Sequence, residues 1–151
     1  MKIVIASDHG GYTLKNKLVS YMESMGHAVD DLGCMSEASV DYPDFGLKAA
    51  EAVARGEYDR GVVVCSTGIG ISIAANKVAG IRCALCTDAT MARLTREHND
   101  ANMLALGALI VGEALAKDIL HTWLSTDFSQ IDRHKARIAK ITAYEQDKQG
   151  K

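Results

Sequence analysis

Short β-branched apolar runs alternate with helical patterns along the whole chain of 151 residues. Apolar runs without polar alternation are typical of strands buried on both faces, and apolar residues every three or four positions are typical of helices. On this basis, strands are predicted at 2–6, 28–32, 61–65, 81–86 and 103–106. Helices are predicted at 12–25, 42–55, 71–78, 88–98 and 112–124, and a last one at about 133–147.

This strict alternation predicts one α/β domain over 1–151, a parallel five-stranded sheet with helices on both faces in three layers. In such sheets, ligands bind outside the carboxyl ends of the strands, where the strand order reverses. The residues that follow each strand are therefore the candidates for function.

The stretch GVVVCSTGIGISIAANK, from Gly61 to Lys77, holds the sharpest candidate site. Its predicted strand ends at Cys65, and a loop leads into the next helix through Ser66, Thr67, Gly68, Ile69 and Gly70. A strand end, a glycine-bearing loop and a helix N-terminus form a concavity of amides for an anion, and they favour the reactive thiolate form of a cysteine. We hypothesise that Cys65 is reactive and that the loop amides hold an oxyanion or a phosphate; the alternative is an inert, buried cysteine.

Two histidines lie in polar clusters elsewhere. Asp8 and His9 follow the first strand, where His9 is a candidate acid, base or phosphate ligand. His98 and Asn99 lie in REHNDAN, directly before the fifth strand. The alternatives are an aspartate helix cap beside an exposed histidine, and a solvated helix end.

The last predicted helix carries Arg133 and Arg137 four residues apart, hence on one face. Two guanidinium groups on one face can bind a phosphate or carboxylate, although such a pair is often a solvated face. The same helix has apolar residues at Ile131, Ile138 and Ile141, which predict packing against a partner such as a second subunit.

Composition excludes several classes of function. The net charge of −2 with no basic run disfavours nucleic acid and anionic membranes as partners. No apolar stretch is long enough to span a bilayer, and the strand-like start leaves no room for a signal peptide, so we expect a cytoplasmic protein with reduced cysteines.

Two motifs have a simpler interpretation. Cys83 and Cys86 have C-x-x-C spacing, but residues three apart in a strand point to opposite faces, which favours two small core residues over a metal or redox pair. Gly68 and Gly70 match half of a dinucleotide fingerprint, but Ile73 stands where the third glycine belongs, and no Walker sequence follows.

Taken together, SDHGG, CSTGIGISIAANK, GIRCAL and REHNDANMLALG resemble the family of type B ribose-5-phosphate isomerases, which includes the galactose-6-phosphate isomerase subunits. The resemblance covers essentially the whole chain and ends in the RHKAR stretch. It implies a Rossmann-like fold and an aldose–ketose isomerase of sugar phosphates that uses neither cofactor nor metal. It further implies dimers or dimers of dimers in which subunits share active sites.

The resemblance also implies roles for the candidate residues. Cys65 would be the base that moves the carbon-bound proton, Thr67 would relay protons between oxygens, and His98 would open the furanose ring. Amides of residues 66–70 would hold the enediolate. Asp8 and Asn99 would bind sugar hydroxyls. His9, Arg133 and Arg137 would bind the phosphate.

This sequence departs from the family pattern at two positions. Ser66 stands where the family usually has glycine, and Leu109 stands where many relatives carry an arginine that helps to bind phosphate. Ribose 5-phosphate is therefore the leading substrate, with four-carbon erythrulose and six-carbon allose or galactose phosphates as alternatives. A non-catalytic sugar-phosphate sensor is a further alternative, against which the joint presence of Cys65, Thr67 and His98 argues.

Overall fold

The computed structural model describes residues 1–149. Its strands are β1 (Lys2–Ser7), β2 (Ala28–Asp31), β3 (Arg60–Cys65), β4 (Cys83–Leu85) and β5 (Met103–Gly107). Its helices are α1 (Tyr12–Ser24), α2 (Tyr42–Ala54), α3 (Ile69–Ala75), α4 (Ala89–Asn99), α5 (Glu113–Ser125) and α6 (Asp132–Gln149). All strand pairs are parallel, in the order β2-β1-β3-β5-β4. The predicted three-layer α/β fold is confirmed.

The sheet separates two apolar layers, and alternate residues of the central strands enter each of them. Val62 and Val64 of β3 pack with the layer that contains Trp123, whereas Val63 and Cys65 pack with the opposite layer. Each β3 side chain is buried, as expected for a strand between two helical layers.

Cys83 and Cys86 lie in opposite layers, as the strand geometry predicts. Burial raises the pKa of each thiol to about 12, so both stay protonated at neutral pH. Within residues 1–149, no group of three or more His, Cys, Asp or Glu side chains could hold a metal ion.

The boundaries differ most from the predictions at α3 and β4. Helix α3 begins at Ile69 rather than at residue 71, because Gly68 takes a left-handed conformation (φ +76°) that ends the loop early. Strand β4 is shorter than the predicted 81–86, because side chains bind the amides at its start. Arg82 N donates to Asn102 Oδ1 and Cys83 N donates to Asn76 Oδ1, each at 2.8 Å.

The strand order places the functional edge of the sheet. From β1 the chain crosses to β2 on one side, and from β3 it crosses to β4 and β5 on the other. The order therefore reverses between β1 and β3, where a crevice opens at the carboxyl ends. Within residues 1–149, no helix is sufficiently long and apolar to cross a bilayer.

Candidate active site

Cys65 lies at the carboxyl end of β3, at the point where the strand order reverses. Its side chain is only 4% exposed, and its sulfur accepts a hydrogen bond from the Gly68 amide at 3.1 Å. Within residues 1–149, the amides of Ser66 and Thr67 donate no hydrogen bond. The thiol therefore lies beside two unpaired N–H groups, the arrangement that an oxyanion site requires.

Neighbouring backbone fixes this loop against β5. The carbonyls of Cys65 and Ser66 accept hydrogen bonds from the amides of Ala108 and Leu109, each at 2.9 Å. Thr67 Oγ1 accepts from the Ile69 amide at 3.2 Å, which closes the turn into α3. Because these two carbonyls face β5, they do not accept hydrogen bonds from the loop amides. The amides therefore remain available to an anion.

The Asp8–Gly11 turn after β1 touches the Cys65 loop directly. A Cβ atom at Gly10 would lie 2.1 Å from Ser66 Oγ, so only glycine allows the two loops to approach this closely. Asp8 caps the turn by accepting from the Gly11 amide at 3.1 Å, and its own amide donates to Val64 O at 3.3 Å. The sequence prediction that these two loops meet at one edge is confirmed.

The loop between β2 and α2 orients His9. His9 Nδ1 lies 3.2 Å from both the amide and the carbonyl of Val40, and either pairing fixes the ring. Lys15 stabilises the start of the same loop, because it is fully buried and forms an ion pair with Asp31 at the end of β2. Asp31 Oδ1 in turn accepts from the Gly33 amide at 2.9 Å.

Tyr42 borders the Cys65 loop and is absent from the residues selected by sequence. A Cβ atom at Gly70 would lie 2.6 Å from the Tyr42 ring, so the ring covers this glycine. This position could have been inferred from the sequence, because Tyr42 follows the loop after β2 and therefore begins α2 at the carboxyl edge of the sheet.

His98 and Asn99 lie at the opposite edge of the sheet. Helix α4 runs antiparallel to the strands and delivers them to the amino end of β5, where Gly61 N donates to Asn102 O at 3.0 Å. Residues 103 and 107 pair with residues 61 and 65. Four strand steps separate the two edges by about 13 Å. One chain therefore does not bring His98 to Cys65.

A second cluster forms around His98. Its ring lies 4.4 Å from the His134 ring, which is only 3% exposed. Arg133 and Arg137 lie on the same helix and are exposed. Asn99 is also exposed, and its carbonyl accepts from Arg82 Nε at 2.8 Å. The structure thus divides the predicted site into a thiol half and a histidine–arginine half.

Cavities follow the same division. A groove of about 390 Å³ lies between α4, β4 and α6, and Asn99, Arg82 and Ile141 contribute to its walls. A smaller cavity of about 260 Å³ lies at the carboxyl edge beside Gly10 and Leu109. Neither contains Cys65.

The two departures from the family pattern lie at the thiol half. Ser66 directs its hydroxyl toward Gly10, in the contact between the two loops. Leu109 is 79% exposed just after β5, so this surface carries an apolar side chain.

Comparison with known proteins agrees with this geometry. The family model described as Ribose/Galactose Isomerase matches residues 3–141. The structure of Clostridium thermocellum ribose-5-phosphate isomerase B superimposes with a TM-score of 0.95 at 57% identity, covering 97% of this chain and 99% of that one.

Two curated relatives carry different names. Ribose-5-phosphate isomerase B of Escherichia coli is 46% identical over 145 residues, covering 96% of this chain and 97% of its own. Galactose-6-phosphate isomerase subunit LacB of Clostridium acetobutylicum is 41% identical over 141 residues, covering 93% of this chain and 82% of its own. Fold, loop geometry and these matches agree, and the chain belongs to the ribose/galactose isomerase family.

Proposed function

We propose that this protein interconverts ribose 5-phosphate and ribulose 5-phosphate through a cis-enediolate, in a site formed by two copies of the chain. One observation carries the proposal: a thiol lies at the switch point beside two loop amides that have no partner within residues 1–149. Moving a carbonyl between C1 and C2 needs a base at carbon and hydrogen-bond donors for the developing oxyanion.

Cys65 performs the carbon chemistry in this proposal. Its thiolate removes the C2 proton of the open-chain aldose, and the electron pair moves into the C1–C2 bond to give the enediolate. The same proton returns to C1, while Thr67 passes the hydroxyl proton from O2 to O1. Amides of Ser66 to Gly70 donate hydrogen bonds to the negative oxygens of the intermediate.

His98 of a second copy opens the furanose ring. It removes the proton from the anomeric hydroxyl at C1 and delivers a proton to the ring oxygen, so the C1–O4 bond breaks to give the aldehyde. Since His98 and Cys65 lie at opposite edges of one chain, a second chain must place its amino edge against this carboxyl edge.

The charged residues divide between the two halves in the same way. His9 from the thiol half joins Arg133 and Arg137 from the other copy on the phosphate dianion, a bidentate arrangement that guanidinium groups favour. Asp8 and Asn99 bind sugar hydroxyls from opposite sides.

Exposed apolar side chains support a second copy at the thiol edge. Ile69, Ile73, Leu109 and Ile110 are all exposed beside the Cys65 loop. Ile131, directly before α6, and Ile141, on α6, are exposed, where the sequence predicted a partner-facing stripe. Such surface is typical of an interface, and we infer a homodimer or a dimer of dimers. The charged substrate does not cross a bilayer unaided, and we place the enzyme in the cytoplasm.

A six-carbon substrate is the second candidate. It is favoured by the apolar side chain of Leu109, at a position where the family resemblance implies a cation, and by the similarity to a galactose-6-phosphate isomerase subunit. Without that cation, a phosphate at the same place would bind more weakly by about 1–3 kcal/mol. A longer sugar would place its phosphate farther from C1 and C2, away from the position that lacks the cation.

A panel of sugar phosphates with four, five and six carbons tests the substrate. We expect kcat/KM for ribose 5-phosphate to exceed that for allose 6-phosphate and galactose 6-phosphate by about tenfold or more, a difference of about 1.4 kcal/mol in the transition state. A higher kcat/KM for a six-carbon sugar would contradict the ribose assignment. Binding without transfer of the C2 hydrogen would identify a sensor.

A further inference from the structure

We propose that His134 is a positioning residue that holds His98 in the orientation for ring opening and links it to Arg133. The proposal rests on the function proposed above for His98 and Arg133. His134 acts through these two side chains.

His134 is an exception on its helix. Between residues 132 and 147, α6 is otherwise exposed or half-buried, whereas His134 is 3% exposed. Its ring packs on the His98 ring with a centroid distance of 4.4 Å and an angle of 45°. Burial of one imidazole against another on a mostly solvated helix restricts the rotamers of His98.

Hydrogen bonds fix the His134 ring at both nitrogens. Arg133 Nε donates to His134 Nε2 at 3.4 Å, and an arginine can only donate. The ring proton therefore sits on Nδ1, which donates to Ser129 Oγ at 2.8 Å. The Ser129 amide donates to Glu97 O at 3.2 Å, so the chain of contacts returns to the residue before His98.

Burial and the neighbouring basic side chains favour the neutral form of His134. Desolvation lowers the pKa of His134, and electrostatic interactions with His98, Arg133 and Arg137 lower it further. The Glu97 backbone raises the pKa of His134, but the net shift is downward. A neutral ring accepts from Arg133 and adds no third cation beside the two arginines.

His134 fixes the relative positions of two side chains, His98 and Arg133, that act on the same substrate. His134 touches the group that opens the ring and a group that binds the phosphate, which are the two ends of a furanose phosphate. A misplaced acid–base group costs on the order of 100-fold in rate for about 1 Å. Loss of His134 should therefore impair ring opening and spare the carbon chemistry at Cys65.

Two rates measured on the full-length His134→Ala variant separate these steps. The first is conversion of ribose 5-phosphate, which is cyclic and needs ring opening. The second is exchange of a C1 hydrogen of ribulose 5-phosphate with deuterated water, which needs no ring step because the phosphate blocks O5. At saturating substrate, where weaker phosphate binding by Arg133 does not limit the rate, we expect the first rate to fall about 10- to 100-fold and the second to stay within about twofold.

Controls distinguish positioning from general structure. His121→Ala makes the same change at an exposed position of α5 and should alter neither rate. His134→Phe retains a ring against His98 and should recover part of the conversion rate, with folding of each variant checked by thermal melting. Equal loss of both rates in His134→Ala, or loss of neither, would overturn the proposal. Failure of the proposed function would look different, since the unsubstituted protein would then show no exchange, or a Cys65→Ala variant would keep it.

Discussion

Replacing Cys65 by alanine is expected to lower kcat for ribose 5-phosphate by about 10²–10⁴-fold, the range that a general base contributes. Among the described residues, Cys65 is the only titratable side chain that we assign to remove the proton from C2. Alanine removes the base but leaves the loop amides, because their geometry depends on backbone bonds to Ala108 and Leu109. Steady-state kinetics and loss of hydrogen exchange at C2 measure the effect.

Cys83→Ala is the matched control for this variant. Cys83 packs against the same apolar layer as Cys65, but burial raises its pKa to about 12 and keeps it protonated. We expect this variant to retain activity within about twofold. A Cys65→Ala enzyme with near-normal turnover would refute the base assignment.

Gly68→Ala is expected to destabilise the fold by about 3 kcal/mol and to reduce kcat/KM by about 10- to 100-fold. An alanine Cβ would lie 2.5 Å from Leu85 Cδ1 and 2.8 Å from the carbonyl carbon of Leu106. The second contact is with the backbone of β5, which cannot move aside. The Gly68 amide would then shift away from the Cys65 sulfur, to which it donates at 3.1 Å.

Gly80→Ala separates the cost of the clash from the cost of the backbone conformation. Gly80 has a φ of +82°, close to the +76° of Gly68, but a Cβ there would meet nothing within 4 Å. We expect Gly80→Ala to cost only about 1 kcal/mol, the penalty for a left-handed alanine. Denaturant unfolding of the two variants gives the comparison. Equal losses would show that the close approach to β5 does not matter.

The thiol half of the site could be predicted from sequence because it depends on local patterns and one topological rule. The valine run before Cys65 predicts a buried central strand, and SDHGG follows another strand. Parallel strands place their carboxyl ends at one edge, so the two loops had to meet if the strands were neighbours. The order β2-β1-β3-β5-β4 itself is set by long-range packing that periodicity does not encode.

Positions of single side chains between distant elements were harder to predict. Lys15 was not selected, although it lies on the same helical face as Leu18 and Met22, which are also fully buried. Its burial depends on Asp31, 16 residues away, and no local rule pairs the two.

His134 was overlooked for a different reason. It lies on the apolar stripe formed by Ile131, Ile138 and Ile141, three residues after Ile131 and four residues before Ile138. The stripe predicted a face that packs, and no inference was drawn from the histidine within it. Only the structure identifies that contact as the ring of His98.

The account depends most on a site shared between two copies, and mixing two inactive variants tests this directly. Cys65→Ala and His98→Ala each remove one half of every site, but a mixed dimer retains one complete site. Refolding the two variants together in equal amounts should restore about a quarter of wild-type activity, since half of the random dimers carry one intact site of two. A mixture that remains no more active than the mean of its two parents would contradict the shared site.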